Sequence, residues 1–104
     1  MRFLVEVREA QANVSTAQTN AEFIPARPGR HVTVRRIFLS SDTAMIVSLV
    51  CSETHVLRWM QYVGKDGGSS AEYDFTSHHD NGLDLNTSDN GNVFIKVTYD
   101  YSGD

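Results

Sequence analysis

The 104-residue sequence predicts an all-β fold: an antiparallel β-sandwich, jelly-roll-like, of about eight strands. Three observations predict it. Near the C-terminal end, Val93, Ile95, Val97 and Tyr99 alternate with Phe94, Lys96, Thr98 and Asp100. A period of two in β-branched and aromatic residues is the pattern of a strand with one buried face. Turn-forming residues then punctuate the chain at short intervals: Pro28-Gly29, Ser40 to Thr43, Gly64 to Ser70 and Asn90-Gly91. Short strands separated by turn chemistry are the mark of a sandwich or barrel. Finally, no stretch carries apolar residues at helical spacing.

In chain order, residues 2–8 read as a strand, with Phe3, Val5 and Val7 on one face. Residues 9–22 are small and polar, with alanines and Val14 as their only clear apolar content, and read as a polar loop or extended arm. A loop of that length in a compact domain is either a surface connection or an arm that reaches a neighbour. Residues 22–24 read as a short strand, stopped by Pro25 and Pro28. Residues 30–40 form the next strand. Their apolar positions change face between Val34 and Ile37, which implies a bulge or a crossing between sheets. Residues 44–52 are apolar on both faces, as in the most buried strand of a domain.

Residues 55–63 follow, with Leu57, Trp59 and Val63 on one face. After the glycine-rich loop, residues 71–76 place Tyr73 and Phe75 opposite Glu72 and Asp74. Leu83 and Leu85 then begin what reads as a hairpin, turned at residues 87–92 and closed by the alternating strand at 93–100. The chain is one domain, 1–104.

Composition narrows the functional classes. Cys51 is the single cysteine, so an intrachain disulfide and a cysteine metal cage are both out of reach. No signal-peptide apolar core opens the chain, and nothing approaches the roughly 20 apolar residues of a membrane span. The expectation is a soluble protein that keeps its own start, with no membrane partner. The net charge is −4, but residues 1–65 hold 8 Lys/Arg against 5 Asp/Glu, whereas residues 66–104 hold 1 against 8. That balance argues against nucleic acid as partner, which calls for a basic stripe.

Catalytic and metal chemistry find little support. His78 and His79 are adjacent, so their side chains diverge, and no zinc-binding spacing surrounds them. Asp66, Asp80, Asp84 and Asp89 lie in turns rich in Gly and Asn, where such residues serve as turn formers as readily as calcium ligands. Cys51 falls in the most apolar strand and reads as an inert core thiol. Gly64 to Ser70 lacks the spacing of a phosphate-binding loop, and no nucleophile elbow occurs. The expectation is a non-enzyme with no cofactor. Trp59, Tyr62 and Tyr73 could form an aromatic platform for sugar, but the register of Trp59 with Leu57 and Val63 favours the core. Arg27, Arg30, His31, Arg35 and Arg36 form the one basic cluster, suited to an interface or to a solvated sheet edge.

One layout in the chain is specific enough to compare. It runs from Arg30-His31-Val32-Thr33-Val34-Arg35-Arg36-Ile37-Phe38-Leu39-Ser40-Ser41-Asp42-Thr43-Ala44 through an apolar strand and the Gly67-Gly68 loop. It continues with Asn81-Gly82-Leu83-Asp84-Leu85-Asn86-Thr87-Ser88 and the final Val93-to-Tyr99 strand. This order resembles the small β-sandwich proteins of tailed-phage virions, including capsid decoration (cement) proteins. The match covers residues 30–101 and rests on turn and core residues. The resemblance implies a structural, non-enzymatic and oligomeric role on the virion. It implies a homotrimer on the capsid surface, with the major capsid protein as partner. A tail, neck or fibre module is an alternative, as is a carbohydrate-binding sandwich. Interface residues are expected at Arg2 and Phe3 in the N-terminal strand and at Arg27, Arg30, Arg35 and Arg36.

Overall fold

A computed structural model describes residues 7–103. Eight strands occur in it: β1 (Arg8–Val14), β2 (Gln18–Ile24), β3 (Arg30–Ser41), β4 (Met45–Cys51), β5 (Leu57–Val63), β6 (Gly67–Thr76), β7 (Leu83–Thr87) and β8 (Val93–Gly103). They form two four-stranded antiparallel sheets, ordered β1-β8-β3-β6 and β2-β7-β4-β5. The fold is the all-β antiparallel sandwich that the alternation and turn spacing predict.

The pairing is nested. First pairs with last, β1 with β8; then β2 with β7, β3 with β6 and β4 with β5. The chain is therefore a doubled-back ribbon with the β4–β5 turn at its tip, rolled so that successive pairs fall in alternate sheets. Pairing of β3 with β8 and of β4 with β7 joins the turns of the roll. Eight strands wound this way make a jelly roll.

Burial follows the predicted periods. Val93, Ile95, Val97 and Tyr99 of β8 point into the core, as do Leu83 and Leu85 of β7. On β3 the buried set passes from Val32 and Val34 to Ile37 and Leu39 across a register shift at Arg35, so the change of face is a bulge. On β4, Met45, Val47, Leu49, Val50 and Cys51 are buried, but Ile46 is 42% exposed, so one face of this strand is partly open.

Three expectations are corrected. Residues 9–22 are not a loop or arm: they hold most of β1, a tight turn and the greater part of β2. Ala10, Ala12 and Val14 alternate with exposed Glu9, Gln11 and Asn13, and they pack against the core from beside β8. Alanine fills the shallow space at a sandwich edge, where a period of two in small residues is still a strand pattern. Second, β7 and β8 do not form a hairpin. They lie in different sheets, and residues 88–92 cross the end of the sandwich. The turn chemistry is real, but turn residues do not determine which sheet the following strand joins. Third, the glycine loop is shorter than expected, since β6 already begins at Gly67. Gly68 lies opposite Ser40, and a Cβ there would stand 2.7 Å from the Leu39 carbonyl oxygen, so glycine permits this pairing. The strand expected over residues 2–8 falls outside the described residues except for Val7 and Arg8.

The acidic and amide turn residues fasten the loops. Asn92 donates from its backbone and side chain to Asp42, Ala17 N–H donates to the Asn90 side chain and Gly91 N–H to the Ser15 carbonyl. At the other end Gly29 N–H donates to Asp80 and Glu53 N–H to Asn81. Gly82 packs on the backbone of Ile24 to Ala26 too closely to admit any side chain.

Candidate interaction surfaces

The sandwich has two outer faces. On the β1-β8-β3-β6 sheet, the register sets side chains in three rows. Glu9, Thr98, Arg36 and Glu72 form one; Gln11, Lys96, Phe38 and Ser70 the next; Asn13, Phe94, Ser40 and Gly68 the third. Lys96 Nζ lies 3.2 Å from Glu9, and Arg36 lies 4.0 Å from Glu72. Phe38 and Phe94 meet edge to face with centroids 6.0 Å apart. Because Ser70 and Ser40 are short beside these neighbours, the face is hollowed. A depression of about 440 Å³ lies over the first two rows, and a second of about 370 Å³ continues past Phe94 towards Asp42 and Asp66.

Beside this hollow, the bulge turns Arg35 outward next to Arg36. Its Nε donates to buried Asp100 at 3.0 Å and its Nη1 to Asp74 at 3.1 Å, so one side chain ties three strands. Ser102 donates to the other Asp100 oxygen.

The β2-β7-β4-β5 face is graded. Glu22, Asp84, Val50 and Leu57 stand in one row across it. Asn86, Ser48 and Met60 form the next, with Asn20 bonded to Asn86; Ile46 and Tyr62 pair beyond. The β2 side is thus polar and the β5 side apolar. Leu57, Met60 and Tyr62 are each at least half exposed, and all lie on β5, the edge strand. Edge strands normally carry blunting charges. The one charge on β5 is Arg58, whose Nε is turned back to the Thr76 carbonyl. Burial of Asp84 holds its carboxyl above the ordinary range, with Glu22 adding to the rise and His55 opposing it.

The residues singled out in the sequence divide among these places. Arg35 and Arg36 share the first face, but their charges are met by carboxylates of this chain. Arg27 lies at the end of the sandwich, its guanidinium 4.2 Å from the Tyr101 ring centre, while the Tyr101 hydroxyl donates to the Pro25 carbonyl. Burial raises the pKa of that phenol. Arg30 opens β3 opposite Gly103, where a side chain would meet the arginine itself. The cluster is therefore two groups, not one patch. Arg2 and Phe3 fall outside the described residues.

The aromatic platform is not formed. Trp59 is 8% exposed, and Tyr73 packs edge to face on it and on Phe75 within the sandwich; Tyr62 alone of the three is open. Cys51 is buried, with its sulfur accepting from His78 N–H. His79 stands beside Asp80, and no group of three or more His, Cys, Asp or Glu gathers among the described residues. The residues that sequence reasoning missed are Phe38, Phe94 and Gln11 on one face and Ile46 and Met60 on the other. Ile46 carried a signal, since a strand apolar on both faces suits an exposed contact surface as well as a doubly buried strand. Comparison with protein-family models, curated proteins and solved structures finds no match to this chain.

Proposed function

We propose that this chain is a non-enzymatic structural protein of a tailed-phage virion, a decoration subunit that binds the outer surface of the head. Its partner on this reading is the major capsid protein, and its working form is a homotrimer. The observation that carries the reading is the apolar strip formed by Leu57, Met60 and Tyr62 of edge strand β5 and by Ile46 of the adjoining β4. A solvated monomer gains nothing from such a strip, whereas a subunit that assembles buries it. The resemblance of residues 30–101 to virion sandwiches supplies the setting. The contact surface is placed on β4 and β5 rather than on the arginine cluster, because that cluster is divided between two places and Arg35 is held by Asp74 and Asp100.

A subunit that binds the assembled lattice in preference to free capsomers stabilises the shell by mass action. A specific contact of this kind buries about 1,000 Å² or more in total, so the strip serves as its centre and polar neighbours as its rim. Mass spectrometry and particle reconstruction of purified virions test the reading. The expected result is this chain on the head at a copy number on the scale of the capsid lattice. Absence from the particle overturns it, and a copy number matching the tail's symmetry moves the protein to the tail or neck. Light scattering of the free protein checks the trimer.

A further inference from the structure

We infer that the hollowed outer face of the β1-β8-β3-β6 sheet is a binding groove for a neutral oligosaccharide. It lies on the sheet opposite the apolar strip and does not depend on the virion reading. Four features of the groove select the ligand. First, the two depressions, about 440 and 370 Å³, meet at Phe94, so the space is elongated and open along the strands. Volumes of this size suit a small organic ligand or a short segment of a longer one. Second, the floor carries the Phe38–Phe94 pair, with Phe38 42% exposed. The negative face of an aromatic ring attracts the polarised C–H groups of a sugar ring and excludes water from them.

Third, the uncharged polar groups around the rings are hydroxyls and amides: Gln11, Ser70 and Thr98 in one depression, Asn13, Ser40, Ser41 and Asn92 in the other. These donate and accept in many directions, as sugar hydroxyls do. Fourth, the basic groups of the floor are matched within the chain, Lys96 with Glu9 and Arg36 with Glu72, and the second depression adds the carboxylates of Asp42 and Asp66. A phosphate, a nucleic acid or an acidic glycan would find no surplus of positive charge. A peptide strand is disfavoured for a separate reason. The middle of the groove runs over β8 and β3, which are paired on both sides, so strand addition could use only the outer margins on β1 and β6, away from the Phe38–Phe94 pair.

The test is a printed array of neutral and acidic bacterial oligosaccharides probed with the whole chain, followed by calorimetric titration of the best neutral binder. Neutral binding is expected. Phe38→Ala should weaken it about tenfold or more, the scale of losing one central aromatic contact. Ser70→Trp, at an exposed position, should fill the first depression and block binding without touching the core, which keeps the question open should Phe38→Ala destabilise the fold. Thr19→Ala, at an exposed position on the other sheet, should leave affinity unchanged. The inference is overturned if no neutral glycan binds, if binding survives Ser70→Trp, or if only acidic glycans bind and salt abolishes that binding.

Discussion

The two outer faces of this sandwich are built from the same kind of strand and end up with opposite chemistry. On the β1-β8-β3-β6 sheet, charged side chains find partners across strands: Lys96 with Glu9, Arg36 with Glu72, Arg35 with Asp74 and Asp100. On the β2-β7-β4-β5 sheet, polar residues collect over β2 and β7, leaving Ile46, Leu57, Met60 and Tyr62 towards the β5 edge. The difference lies in what the edge strands carry. Edge strands β1 and β6 set Glu9, Glu72 and Asp74 beside basic residues of the inner strands, whereas edge strand β5 presents Leu57, Met60 and Tyr62. The first face is closed electrostatically and the second is open hydrophobically, which is why the proposed contact is placed on the second.

The comparison breaks most sharply if charge placed on the strip has no effect. The double variant Ile46→Asp, Tyr62→Asp should weaken binding to assembled heads by about thirtyfold or more, as loss of interface anchors does. Its folding free energy from urea denaturation should fall by about 1–2 kcal/mol, since the two carboxylates stand opposite each other on paired strands, and the binding assay is therefore run where the variant is fully folded. The next largest effect belongs to the other face. Asp100→Ala removes a buried acceptor of Arg35 and Ser102 and should cost about 2 kcal/mol in the same measurement, in the range of hydrogen bonds to charged groups.

Asp84 sharpens the contrast through pH. A carboxyl held above its ordinary pKa by burial favours folding while it is protonated, below the ordinary Asp value. That contribution is lost as pH rises through the raised folded value. Asp84→Asn should therefore raise the melting temperature at pH 7, and the gain should shrink as pH falls below the ordinary Asp range; an equal gain at both ends would contradict burial as the cause. The smallest effect is expected of Glu72→Ala. Its partner Arg36 is 4.0 Å away and both side chains are more than half exposed, so stability should change by less than about 0.5 kcal/mol.

Much of the scaffold was legible in the sequence because strand period reports burial directly. The β3 bulge could be read from the passage of apolar positions from Val34 to Ile37, and the depth of β8 from Val93, Ile95 and Val97. The nested pairing could not be read, since nothing local in Leu83 or Val93 says that they join different sheets. The β1 strand escaped notice because Ala10 and Ala12 bury too little area to look like a core face. The two surfaces were least legible of all. Phe38 and Phe94 become neighbours only through the β3–β8 register, and Ile46 and Tyr62 only through that of β4 and β5.

The doubled-back ribbon also dictates an itinerary for folding. Among the described strands, β4 and β5 alone are both paired and consecutive in sequence; each further pair of the ribbon closes a longer loop, ending with β1 against β8. Loop-closure entropy grows with length, so the tip hairpin is the cheapest piece to form and the terminal pair the most costly. That hairpin bears the apolar strip. While the remaining strands are still to pair, that apolar strip is already on display, and on the proposed reading a capsid contact would also cover it.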